Sequence, residues 1–126
     1  MRVFANLLLV MISAAFLSAC VTPNPQAIGP FPTNYRDNVI SYVKDAFFDP
    51  YSIRDAEISY PQQGHLFFQQ GWLTCLRANA KNRLGGYTGR KVVALLINNG
   101  RVVQSMSDAP LCNQVSYQGF EELEKL

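Results

Sequence analysis

The chain is poor in residues that do chemistry. Its 126 residues hold one histidine, His65, and no Cys-x-x-Cys pair. A metal site needs His, Cys, Asp or Glu at ligand spacing; no such set occurs, so no metal or other cofactor is expected. No Gly-x-Ser-x-Gly elbow exists to display a serine nucleophile, and neither the phosphate-loop spacing nor the dinucleotide pattern is met. A hydrolase would have to rest on His65 or on carboxylates from a solvated helix face, and catalysis is not expected. Acidic residues are missing from one long stretch. Between Ile58 and Ser107 there is no Asp or Glu, while Arg77, Lys81, Arg83, Arg90, Lys91 and Arg101 all fall inside it. Overall charge is small, 11 basic against 9 acidic residues, so it selects no partner by itself. No internal repeat is present.

What is there begins with an uncharged apolar run, Val3 to Ala19, behind Met1 and Arg2. A charged start, an apolar middle and a small-residue end are the layout of an export signal. The four residues Leu17-Ser18-Ala19-Cys20 resemble the lipobox of bacterial lipoproteins, a likeness confined to the first 20 residues. It implies that residues 1–19 are a signal peptide removed before Cys20, that the Cys20 sulfur carries a diacylglyceryl group, and that the new amine takes an acyl chain such as palmitate. Two or more acyl chains hold a protein on a bilayer, where a single chain is marginal. The expected location is the bacterial cell envelope, lipid-anchored; Val21 in place of an aspartate points to the outer membrane, facing the periplasm. Nucleic acid is not expected as a partner there. With Cys20 acylated, an exported domain keeps two cysteines, Cys75 and Cys112, which read as one disulfide.

Residues 21–33, VTPNPQAIGPFPT, include four prolines and no charge. Proline lacks a donor and biases its neighbour to extended geometry, so the stretch reads as a semi-rigid tether. The rest, 34–126, is one small domain's worth of chain. Asn34 is a candidate helix cap with Asp37 three residues on. Tyr35, Val39, Ile40, Val43, Ala46 and Phe47 recur at helical spacing opposite a polar face, and Asp49-Pro50 closes the helix. Strand patterns follow at Ile53 to Tyr60, His65 to Gln70, Trp72 to Ala80, Lys91 to Asn98 and Arg101 to Ser107, with a turn expected at Pro61 to Gly64. Asn99-Gly100 is a tight-hairpin signal, pairing Ile97 near Val102 and Leu95 near Gln104. Gly119 to Leu126 reads as a short acidic tail or a final helical turn. The expected fold is α+β: one N-terminal amphipathic helix packed on one face of an antiparallel meander sheet of four to five strands, with one disulfide.

Asn79 to Lys91, NAKNRLGGYTGRK, gathers four basic residues around three glycines. Glycine-rich turns can aim backbone N–H groups at an anion. Together with the Asp49-Pro50-x-Ser52 turn, Asn79-Ala80-Lys81-Asn82 and Gly85-Gly86-Tyr87 are similar to a small domain recurring in bacterial lipoproteins and other exported proteins; that likeness supplies a fold and no activity. The candidate binding residues are Arg83, Gly85, Gly86, Tyr87, Arg90 and Lys91. The basic sheet half either forms a face for an envelope protein or an anionic polymer, or pairs internally with acids of the helix and tail. The expected function is a non-catalytic binding or scaffold module. The alternative is an inhibitor or immunity-type lipoprotein acting on a cell-wall hydrolase or toxin through Leu84 to Arg90.

Overall fold

The computed structural model describes residues 28–126; the signal segment, Cys20 and the tether up to Ala27 lie outside the described residues. Helix α1 spans Tyr35–Ala46, so it begins well inside the chain rather than at its N-terminus. Six strands follow: β1 Arg54–Ser59, β2 Gln62–Leu66, β3 Gln69–Asn79, β4 Lys91–Asn98, β5 Arg101–Ser107 and β6 Tyr117–Gly119. Short 3-10 turns at Pro50–Ser52 and Pro110–Asn113 and a four-residue helix α2, Glu121–Glu124, complete it. The sheet is antiparallel, ordered β5-β4-β3-β1-β6 with β2 also beside β3.

This is not the expected meander of four to five strands. Strand β6 does not extend the sheet beyond β5; it returns to pair with β1 on the opposite edge. The connection therefore crosses one whole face of the sheet. On that face it buries Ala109 and Cys112 against Leu66, Cys75, Ala94 and Leu96. The other face carries α1, whose Tyr35, Val39 and Val43 pack with Ile58, Leu76, Leu95 and Ile97. Both faces are thus covered, one by helix and one by crossing chain. The disulfide joins Cys75 on β3 to Cys112 in the crossing segment, 37 residues apart, with Cα atoms at 5.7 Å. Tyr117 closes the same segment, its hydroxyl donating to the Cys112 carbonyl at 2.8 Å.

Several local expectations need correction. Asn34 occupies the cap position of α1 but makes no capping hydrogen bond; its side-chain oxygen instead accepts from Asn38 Nδ2 at 3.4 Å. The helix ends at Ala46, ahead of Asp49-Pro50. Residues 61–64 are not a turn. Gln62–Leu66 is strand, and the reversal falls at Phe67-Phe68, between paired Leu66 and Gln69. Gly64 faces Gly71 across β2 and β3, where a Cβ on Gly64 would come within 2.5 Å of Leu73 Cδ1. The glycine leaves room for the Leu73 side chain within a paired strand, a position that mimics a turn signal in sequence. The Asn99-Gly100 hairpin forms, with positive φ at both residues, and Ile97 pairs with Val102. A bulge then shifts the register, so Leu95 meets Ser105 rather than Gln104. An extra residue turns the strand's side chains over, sending Val102 to the helix-side core and Met106 to the disulfide-side core.

The C-terminal stretch is no solvated tail. Phe120 and Leu123 are fully buried, and Glu124 Oε1 accepts the Ala56 N–H at 2.7 Å. Residues 31 and 32, expected in the tether, lie on the domain. Phe31 stacks on Tyr60 and meets Trp72 edge-on, each at 5.1 Å between ring centres. Trp72 Nε1 donates to the Gly29 carbonyl at 3.3 Å.

Replacing both cysteines by alanine should lower stability by about 4 kcal/mol, the loop-closure value for a ring of this length. Phe120→Ala should cost about 3–5 kcal/mol, as for other buried aromatics, a loss that a solvated tail would not show. Denaturant unfolding of the two variants checks both.

Candidate functional site

The Asp49–Ser52 turn is far in sequence from the two neighbouring motifs of the glycine loop, Asn79–Asn82 and Gly85–Tyr87, and meets them in space. The Pro50–Ser52 turn is closed by Ser52, whose Oγ donates to the Asp49 carbonyl at 2.8 Å. That same Oγ accepts the Lys81 N–H at 2.9 Å. The Ser52 carbonyl accepts the Tyr87 hydroxyl, and Lys81 and Tyr87 pair as an isolated bridge. Ser52 thereby ties the helix exit to both arms of the glycine loop.

Inside the loop Asn82 organises the turn. Its Oδ1 accepts from the N–H groups of Leu84 and Gly86 at 3.0 and 3.1 Å, and its carbonyl accepts from Gly85 at 3.0 Å. Three loop N–H groups, those of Leu84, Gly85 and Gly86, are therefore committed to Asn82. Gly85 has φ +77°, a left-handed conformation that side chains resist. The loop is a tied structure with Leu84 at its tip, 95 % exposed.

Aromatic and cationic side chains line the outside of this knot. The Arg54 guanidinium lies 3.7 Å over the Tyr87 ring, with Lys81 Nζ at 5.8 Å. Arg83 sits 5.2 Å over Phe48, itself 60 % exposed. Arg90 points elsewhere: its NH1 donates to Glu57 Oε2 at 2.7 Å. Arg77 donates to the same oxygen, its Nε at 2.7 Å, and stacks 3.8 Å from Tyr117. Lys91 opens β4 and lines a shallow hollow of about 300 Å³ with Tyr42, Phe47 and Asp108. Arg83, Gly85, Gly86 and Tyr87 thus share the knot, whereas Arg90 and Lys91 face other neighbours.

Charge pairing is partial. Glu57 answers Arg77 and Arg90, and Glu122 answers Arg36 of the helix. Among the described residues Lys81, Arg83, Lys91 and Arg101 form no ion pair. Arg36 grips Glu122 through Nε and NH2, at 2.9 and 2.8 Å. Those hydrogen bonds hold the Glu122 carboxyl below its ordinary value and raise the Arg36 guanidinium. Burial pushes the Tyr117 phenol up.

No group of three or more metal-ligating side chains occurs among the described residues, and His65 is exposed on β2. The other two described hollows measure about 220 and 240 Å³, below the roughly 300–1,000 Å³ of small-molecule pockets. The exposed knot is the candidate site. Reading the sequence missed Ser52, Arg54, Phe48 and Glu57 as parts of this corner; Ser52 alone carried a signal, through the Asp-Pro-x-Ser motif. Comparison with protein-family models, curated proteins and solved structures gave no match.

Ser52→Ala should cost about 1 kcal/mol by removing the exposed hydrogen bond to the Lys81 N–H and should speed amide exchange at Lys81 and Tyr87, read by native-state hydrogen exchange. For Glu122 the folded value is depressed. Its stabilisation is present above the ordinary carboxylate value and is lost as pH falls through the lower, folded one. Glu122→Gln should therefore flatten the acid limb of the stability profile, by less than about 1 kcal/mol because the pair is solvent-exposed; thermal melts across acidic pH test this.

Proposed function

We propose that the protein is a lipoprotein of the bacterial cell envelope, anchored through Cys20, whose knot end binds a protein partner without catalysis. The lipobox-like Leu17-Ser18-Ala19-Cys20 supports the anchor. The observation that carries the partner reading is Leu84, 95 % exposed on a loop cross-tied by Asn82 and Ser52, beside exposed Phe48 and Tyr51 and the Arg83 guanidinium. An apolar and arginine-bearing surface on a pre-ordered loop loses little conformational freedom on docking. An anionic polymer is the weaker fit, because three of the loop's N–H groups are used internally and Arg90 is already paired.

The same rigid loop also favours the inhibitor or immunity-type version, in which Leu84 enters the cleft of a hydrolase or toxin. Both versions predict a partner held by shape and apolar contact, so binding survives added salt, which screens exposed charges beyond about 10 Å at 0.1 M.

Two measurements test this. Cys20→Ser should abolish incorporation of labelled palmitate and release the protein from the membrane fraction; unchanged labelling would contradict the anchor. With a photoreactive group near the loop, Leu84→Asp should cut co-purification of the crosslinked partner at least tenfold in both low and high salt. Loss confined to an Arg83→Ala, Arg90→Ala, Lys91→Ala triple variant, and only in low salt, would replace the protein partner with an anionic polymer.

A further inference from the structure

The chain makes two tight two-residue hairpins. One uses Asn99-Gly100, the residue pair such turns favour, with positive φ at both positions. The other uses Phe67-Phe68. Phe67 has φ +54°, a conformation in which a bulky side chain is an outlier. Neither ring packs on the domain: Phe67 is 56 % and Phe68 106 % exposed. Turn chemistry does not call for phenylalanine here, and core packing does not use it. Backbone strain and apolar exposure coincide at one tip.

The hairpin that carries this tip leaves the β3–β4 ladder, whose last pair is Trp72 with Ile97, and curves over the disulfide-bearing face, where Leu66 is buried against Ala94 and Leu96; Phe67 and Phe68 sit at its exposed turn. No formally charged residue lies between Tyr60 and Leu76. Entry of the tip into an apolar medium therefore desolvates no charge.

The chain's entry point lies at the same end. Gly29 is bonded to Trp72, and Phe31 packs on Trp72 and Tyr60. From Cys20 to Ile28 is eight residues, a reach of at most about 25 Å in extended proline-rich geometry. With an acylated Cys20 in the bilayer, this end of the sheet is the one held near the lipid.

We propose that Phe67 and Phe68 insert into the bilayer interface as a second contact beside the lipid anchor, orienting the domain with its knot end outward. The inference rests on the Cys20 anchor. Two aromatic rings on a rigid, uncharged tip add apolar contact area at the headgroup boundary, and the anchor supplies a high local concentration of bilayer.

The test uses the protein purified from its own membranes and reconstituted in phospholipid vesicles. Phe68→Trp in a Trp72→Phe background places one tryptophan at the tip, and Tyr51→Trp in the same background places one at the knot end. Lipids carrying a nitroxide near the headgroup end of the acyl chain should quench the tip tryptophan at least twofold and leave the knot tryptophan unchanged. Intact mass of the N-terminal peptide from the same sample reports acylation of Cys20. Acylated Cys20 with an unquenched tip overturns the insertion and leaves the anchor standing, as when the tip docks on a protein instead. Equal quenching at both positions overturns the orientation. Cys20 without lipid removes the anchor and the insertion together. The two reporter positions exchange one exposed aromatic for another; the shared Trp72→Phe change removes the bond to the Gly29 carbonyl, so the Trp72→Phe background alone is melted beside both variants, and an unchanged melt confirms that all three are folded.

Discussion

The bond between Cys75 and Cys112 pins a chain crossing that the sheet cannot hold by strand pairing. Strand β3 lies in the middle of the sheet, with β4 on one edge and β1 and β2 end to end on the other. Its two faces must both be kept from water. One is closed by α1, a helix with its own apolar stripe. The other is closed by irregular chain between β5 and β6, which packs Ala109, Leu111, Cys112 and Val115 on it but has no ladder of its own across the sheet. A covalent link to the centre of β3 removes much of the entropy that would otherwise favour release of this cover. The crossing in turn delivers β6, Phe120 and Leu123 to the helix-side core. A small domain with limited core area gains most from such a link.

Electrostatics at the knot end follows from scarcity of acid. One carboxylate, Glu57, serves two guanidinium groups, Arg54 has Asp55 at 3.9 Å, and Arg54, Lys81 and Arg83 also lie over aromatic faces. Arg54 on Tyr87 and Arg83 on Phe48 keep their charge near solvent while covering ring surface. The corner is rigid because Ser52 and Asn82 satisfy backbone donors that would otherwise need water. Three motifs that look like separate features of the sequence are one structural device, which explains their spacing.

Legibility in the sequence tracked how local each signal is. Alternation and apolar content marked α1, β1, β4 and β5, and Asn99-Gly100 marked its hairpin, because each depends on neighbouring residues alone. The path of the last strand depends on the crossing between β5 and β6, and nothing in Pro110 to Tyr117 states which edge β6 will meet. The bulge in β5 leaves no composition signal. Phe67-Phe68 lacks every residue type that marks a turn, so the reversal was displaced to Pro61–Gly64, where glycine serves strand packing. The acidic character of the last eight residues hid Phe120 and Leu123, whose burial comes from tertiary contact. At the site, the glycines and Tyr87 were visible, whereas the commitment of loop N–H groups to Asn82 and of Arg90 to Glu57 required coordinates.

The long strand sets a two-ended molecule. The chain's entry at Trp72 lies near the start of β3, and the knot lies beyond its end, about 23 Å away for the seven steps of extended chain from Trp72 to Asn79. In the proposed arrangement anchor, spacer and tip belong to the membrane side, and Leu84 to the partner side. Neutron reflectometry on the acylated protein in a supported phospholipid bilayer measures this directly. The account predicts a protein layer about 30 Å or more thick, in contact with the headgroups with no water layer between. A water-filled gap beneath the protein, or a layer only about 20 Å thick from a sheet lying flat on the bilayer, would contradict it.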